Sequence, residues 1–273
     1  MLRHIYRHPF LFYLLFLLPA LLAVFRLGLF PHHLLYTELV AALLPVLLAL
    51  LFYIPITLHL SAASLRSWNE GDPSPLLTHS LDSIHLYRQS RRTSAKRALA
   101  NFHINAAAAL ISLGRFSQAL EHLDAASSLP LTGEAAAILW LNRSAALYEL
   151  GRYQEMAPCL SQAEALLSAS GQAPTPQTAA LWDAVRRSLR QHHLLLRLQT
   201  QVLTPEVETE LQELLALAKT PKDQVELHLA LAQCALARRD NPAAQEHLSY
   251  VLTHGNKLHA RTQAAQLWAQ QGF

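Results

Sequence analysis

One short motif, met twice, constrains this chain more than any other feature. Leu-Gly-Arg-Phe-Ser-Gln-Ala-Leu at 113–120 returns as Leu-Gly-Arg-Tyr-Gln-Glu-Met-Ala at 150–157, which sets Gly114 and Gly151 37 residues apart. Alanine-rich amphipathic stretches precede each motif (101–113 and 137–150), and apolar residues at helical spacing follow it (119–127 and 156–167). Each unit therefore reads as helix, tight turn, helix. A repeat of this length predicts stacked helical pairs, each burying its apolar face against its neighbours.

Weaker units flank the two clear ones, which cover about 100–130 and 137–167. Residues 224–237, a turn at 238–242 and residues 243–252 give another helical pair, and 257–270 predicts a terminal capping helix. An intervening pair spans 174–219, with a long first helix at 174–201. Its second helix, from Pro205, is capped by Thr204. Upstream, the segment from Arg66 to Pro73 followed by Ser80–Tyr87 reads either as the turn and second helix of a degenerate half repeat or, through Gly71, Asp72, Pro73 and Pro75, as a hinge.

The repeated units resemble the tetratricopeptide repeat. In the second, Trp140, Asn142, Ser144, Leu147, Gly151, Tyr153, Leu160 and Ala163 fall at consensus-type positions. The first supplies Asn105, Ala107, Leu110, Gly114, Phe116, Ala119, Leu123, Ala126 and Pro130, while Met156 departs from the usual small residue. The resemblance implies an α-solenoid over 98–273 whose first helices line a concave, partner-binding groove. Carried onto this sequence, that groove is formed by Ile104, Asn105, Ala108 and Ile111 with Leu141, Asn142, Ala145, Tyr148 and Glu149. Some chaperone-binding members clamp a terminal carboxylate at the positions of Asn105 and Asn142, but Asn101 stands where such a clamp has lysine.

The N-terminus has a different character. Phe10–Phe30 and Leu39–Leu58 are apolar runs of about 20 residues, the length of a bilayer-spanning helix. Only Arg3, Arg7, Arg26 and Glu38 are charged within 1–65. Arg3 and Arg7 precede the first run, Arg66, Arg88, Arg91, Arg92, Lys96 and Arg97 follow the second, and the Pro31-His32-His33 turn between them has no basic charge. That pattern predicts a transmembrane hairpin over 1–60 with spans near 10–30 and 39–58, a basic juxtamembrane segment over 61–97, and both termini on the cytoplasmic side of the cell membrane. A cleaved signal peptide is the competing reading of the first run. The expected fold class is thus all-α, a two-helix transmembrane hairpin followed by a TPR-like α-solenoid.

Charge distribution argues against nucleic acid. Although the net charge is +3, residues 98–273 hold 13 Lys/Arg against 15 Asp/Glu, and the surplus gathers beside the apolar runs, where it suits lipid headgroups. Cys159 and Cys234 form neither a disulfide framework nor a CxxC motif. The glycines are isolated, so no phosphate-cradling loop is present. Glu206, Glu208, Glu210 and Glu213 crowd one helix, where acids near the N-terminus complement its dipole. Adjacent histidines, as at His192-His193, diverge by about 100° on a helix and do not converge on one metal.

These readings assign no catalytic residue, no cofactor and no metal. They predict a non-enzymatic membrane-anchored scaffold that binds a protein or peptide partner, an amphipathic segment, in the groove at the cytoplasmic membrane face. The competing prediction is an accessory subunit of a membrane transport complex.

Overall fold

The computed structural model describes residues 54–169, 176–200 and 205–273. The chain divides into two compact units, 1–64 and 65–273. Of the first, only 54–64 is described. Eleven helices occur among the described residues: α1 Ile54–Asn69, α2 Ser74–Tyr87, α3 Thr93–Ser112, α4 Phe116–Ser127, α5 Gly133–Glu149, α6 Tyr153–Ala169, α7 Pro176–Thr200, α8 Pro205–Ala216, α9 Pro221–Ala237, α10 Asn241–His254 and α11 His259–Gln271.

The membrane half of the expected fold class is corrected here. Among the described residues no helix is long and apolar enough to cross a membrane. Residues 54–58, the tail of the second expected span, belong to α1. That helix has 16 residues, about 24 Å of rise, and carries His59, Ser61, Ser64, Arg66 and Ser67. The rest of both spans, 10–30 and 39–53, lies outside the described residues, as does the Thr204 cap. The transmembrane hairpin, lipid contact through two spans and a multi-pass cell-membrane location are accordingly withdrawn.

The second unit has a solenoid-like arrangement whose core is built in segments. One cluster joins α2, α3, α4 and the start of α5 around Leu76, Leu110 and Leu123. A second joins α5, α6 and α7 around Leu141, Leu160 and Trp182. The third links α7, α8 and α9 through Leu194, Leu211 and Leu231, and the fourth links α9, α10 and α11 through Val225, Leu248 and Ala264. Helices α5, α7 and α9 each serve two successive clusters, which is how a solenoid propagates a core without a single centre.

Three turns share one geometry. After α3, α5 and α9, the N–H of Arg115, Arg152 and Asp240 donates to the carbonyl of Leu110, Leu147 and Ala235 at 2.8, 2.9 and 2.9 Å. The residue just before each donor is left-handed: Gly114 at φ +75°, Gly151 at +70° and Arg239 at +62°. Helices close with such a residue because its conformation lets the last carbonyls be bonded. Thr132, Thr220 and Asp240 cap the starts of α5, α9 and α10 through their side-chain oxygens.

The solenoid closes on itself. Lys257, between α10 and α11, donates its N–H to the Gly71 carbonyl (3.1 Å) and places Nζ 2.6 Å from Asp72. Asn256 Nδ2 donates to the Glu70 carbonyl (3.3 Å). His259 lies over Gly114 and meets Phe116 edge-on, with ring centres 5.1 Å apart. The last turn thus lies against the first, and the concave face becomes a half-enclosed interior.

Candidate functional site

Helices α3, α5, α7 and α9 turn their inner faces toward this interior. Two adjoining cavities occupy it, of about 450 and 110 Å³. From α3 come Ile104, Asn105, Ala108 and Ile111, and from α5 Leu141, Asn142 and Ala145, all lining the larger cavity. Tyr148 and Glu149 line the smaller one, together with Ile111 and Ala145. The structure therefore gathers all nine residues singled out by the sequence on one surface. Their helical phase puts them there, since residues three, four and seven apart share a face.

The surface is not the open groove that the sequence suggested. Contacts of Lys257 and Asn256 with the α1–α2 turn, and of His259 with Gly114, border it on one side.

Sequence reasoning missed the opposite wall. On α9, Lys222 reaches both carboxylate oxygens of Glu226 at 3.0 Å and Asp223 at 3.4 Å. Its ammonium sits 5.0 Å from the centre of the Trp68 ring, and its side chain is only 12% exposed. Burial opposes that charge, but the two carboxylates outweigh it and hold the Lys222 pKa above its ordinary value. The only sequence signal was the i,i+4 spacing of Lys222 and Glu226, which on most helices marks a solvated pair. Trp68 donates Nε1–H to Ser112 Oγ (3.0 Å), tying α1 to the end of α3.

His192 comes from α7. Its Nδ1 lies 2.7 Å from Ser144 Oγ, whose hydroxyl is also 2.7 Å from the Leu141 carbonyl. Burial, with Lys222 and His193 adding to it, lowers its pKa to about 4, so the imidazole is neutral at pH 7. Neighbouring His193 points the other way, to Glu164 at 2.8 Å. The pair diverges as helix geometry requires.

At the inner end, Tyr148 OH lies 3.4 Å from Gln233 Oε1 and accepts from Gln199 Nε2 at 3.1 Å. Glu149 accepts from Gln263 Nε2 at 2.6 Å. Burial pushes the Glu149 carboxyl up to about 7, the Gln263 hydrogen bond working against this and Glu226 adding to it. Asn142 donates to the Ile104 carbonyl at 3.5 Å and so bridges α5 to α3.

The remaining sequence candidates lie elsewhere. Glu208 pairs with Arg238, Glu210 with Arg190 and Arg197, and Glu213 with Arg190, so these acids stitch α8 to α7 and α9. Cys159 and Cys234 are buried free thiols, and burial raises both pKa values, that of Cys234 to about 11. Among the described residues no group of three His, Cys, Asp or Glu is placed to hold a metal ion.

Comparison with known proteins returns no matching family model, no matching curated protein and no matching solved structure. The expected membership of the tetratricopeptide-repeat family is corrected on that finding, as is the membrane-anchored TPR scaffold read from it. An all-α chain with a solenoid-like arrangement of eleven described helices stands in its place. Helix lengths from 12 residues in α4 to 25 in α7, and the meeting of the first and last turns, are departures from a uniform open stack.

Proposed function

We propose that residues 65–273 form a closed helical module that binds a compact ligand in its central cavity. One observation carries this reading: the inner faces of α3 and α5 meet α7 and α9 around about 450 Å³, within the range of small-ligand pockets. The walls supply apolar surface from Ile104, Ile111, Leu141 and Val185, with polar groups at fixed places, notably Ser112, Asn142, His192 and Lys222. Such a mixture orients a ligand as well as burying it.

The reading is binding without catalysis. Lys222 is held as an ammonium, Cys159 and Cys234 as thiols, and burial raises the pKa of the Tyr148 phenol. None of these is prepared as a nucleophile at neutral pH.

The test uses the full chain and the neutral fluorophore N-phenyl-1-naphthylamine. Binding should be saturable, and Ala145→Phe, which projects a ring where the two cavities adjoin, should weaken it at least tenfold while leaving the thermal midpoint and helical circular dichroism intact. Equal binding by the folded Ala145→Phe protein would overturn the reading.

A further inference from the structure

We propose that the smaller chamber is a receptor for a primary ammonium group on a short alkyl stem, held between the Glu149 carboxylate and Nε2 of His192. This deepens the reading above and rests on it.

The hydrogen bonds around His192 fix its tautomer. A serine hydroxyl has one proton, and that of Ser144 goes to the Leu141 carbonyl. Ser144 Oγ is then the acceptor toward His192, so the imidazole carries its proton on Nδ1 and a lone pair on Nε2. His192 sits deep in the domain yet retains accessible surface, and it lines both cavities. Its Nε2 is an acceptor open to a ligand.

Glu149 supplies the charge. Its hydrogen bond comes from the neutral amide of Gln263. The neighbouring buried cation, Lys222, is committed to Glu226 and Asp223, and among the described residues no lysine or arginine pairs with Glu149. A carboxylate taken out of water without a cation is costly, and a ligand that brings the cation removes that cost.

Size and lining select the ligand class. At about 110 Å³ the chamber is far smaller than the cavity of about 450 Å³ it adjoins, and it suits the end of a ligand whose remainder lies there. Ile111, Ala145 and Leu229 present apolar walls to methylenes. A bare divalent metal lacks its usual ligand set, because Glu226 is paired with Lys222, His259 lies against Gly114 and Phe116, and among the described residues no three of His, Cys, Asp or Glu are placed to hold one ion. An ammonium offers three donors and an aliphatic stem. Ile111, Ser112, Ala145, Gln191, His192 and Glu226 line both cavities, so the stem continues into the larger one.

Two sources share this chemistry, a free alkylamine and a lysine side chain of a partner. Titration calorimetry on the full chain with n-butylammonium and with Nα-acetyl-lysine methylamide separates them, with n-pentanol and Nα-acetyl-norleucine methylamide as neutral counterparts. At least one amine should bind tenfold or more tightly than its neutral counterpart. A tighter lysine derivative assigns a partner side chain, and otherwise the free amine is assigned. Glu149→Gln should lose tenfold or more in amine affinity and keep N-phenyl-1-naphthylamine binding in the larger cavity.

Binding between pH 6 and 7 should release protons, because the cation favours the Glu149 carboxylate; this is read from the dependence of the heat on buffer ionisation. The titratable groups facing this chamber beside Glu149 are Glu226 from α9, His192 from α7, His259 from the start of α11 and Tyr148 on α5, while Lys222 of α9 lines the larger cavity and acts on His192. An unaltered Glu149→Gln affinity, equal binding of neutral counterparts, or no amine binding overturns the ammonium receptor. If N-phenyl-1-naphthylamine still binds, the central cavity stands without it, and if neither probe binds, both readings fall.

Discussion

The α3–α4 and α9–α10 hairpins are built on one frame 125 residues apart, as His103 and His228 mark. Ala107, Ala119 and Leu123 correspond to Ala232, Ala244 and Leu248, all fully buried. His103 and His122 meet Nδ1 to Nδ1 at 2.9 Å, and His228 and His247 at 3.0 Å. The hairpins differ at two places. Their turns are covered differently, because His259 lies on Gly114 in the first, whereas Arg239 takes the same left-handed place in the second. Their inner faces also differ: α3 presents Ile104, Ala108 and Ile111 to the cavity, and α9 presents Lys222, Asp223 and Glu226. A common frame thus carries two specialisations, one for closing the ring and one for charging its interior.

The sharpest break in that comparison is Gly114→Ala. A Cβ there would stand 2.4 Å from His259 Nδ1, on a backbone at φ +75°. The left-handed conformation alone costs about 1–2 kcal/mol for an L-residue, and displacing His259 should bring the loss to about 3 kcal/mol. Gly151→Ala has similar φ but nothing within 4 Å of the added Cβ, so about 1 kcal/mol is expected. Urea unfolding of both variants isolates the closure as their difference, and equal losses would show that His259 does not hold the ring.

Lys222→Met tests the charged face. It leaves Glu226 with no cation in a half-buried place, with an expected loss of about 2–3 kcal/mol. Adding Glu226→Leu should recover most of that loss, since an apolar pair of similar volume replaces a buried ion pair at little net cost. Failure of the double variant to recover would mean that Lys222 acts mainly through its stacking on Trp68. The same substitutions have no counterpart on α3, whose inner face carries no charge.

How much of this was legible in the sequence follows from where each determinant lies. The α3–α4 and α5–α6 hairpins were readable because Gly114 and Gly151 announce the left-handed turn and alanines mark the close helix contacts. The α9–α10 hairpin was harder to read because Arg239 does the work of a glycine, an uncommon choice whose strain the surroundings must offset. Helical phase sufficed to place nine residues on one inner face. It could not show that Lys257 reaches Asp72, 185 residues earlier in the chain. The opposite wall was hidden for the same reason, since an i,i+4 pair looks alike whether it faces water or Trp68.

Proton linkage asks whether the two histidine pairs are energetically as alike as their geometry. Burial lowers the pKa of all four imidazoles, His103 and His228 to about 4, with the partner histidine adding to the effect in those two. A histidine whose folded pKa lies below its unfolded value favours the folded state fully above about 6.5, and that contribution is lost as pH falls toward 4. Each ring retains some exposure, so the loss is about 1 kcal/mol per pair after screening. Unfolding at pH 7 and pH 4.5 measures the loss of stability, to which His79, His192 and His259 also contribute through burial. That loss should shrink by about 1 kcal/mol in His103→Asn with His122→Asn, and equally in His228→Asn with His247→Asn. Tyr250 stacks on His228 at 3.8 Å and packs against His254 at 4.4 Å, so unequal decreases would assign the excess to that stack.

The smallest expected effect is the most direct test of the shared frame. Arg239→Gly removes the Cβ from a left-handed residue and should relieve about 1 kcal/mol of strain, against which the unfolded chain gains entropy worth somewhat less. The net change should be a stabilisation of about 0.5 kcal/mol, visible as a small rise in the urea midpoint with an unchanged slope. Arg239 forms no ion pair among the described residues, whereas its neighbour Arg238 is held by Glu208. Any loss of stability on substitution therefore has to come from the backbone. A destabilisation would mean that Arg239 takes the left-handed place with little strain, so that the freedom glycine gives the unfolded chain outweighs the relief, and that the two hairpins share a geometry without sharing the cause of it.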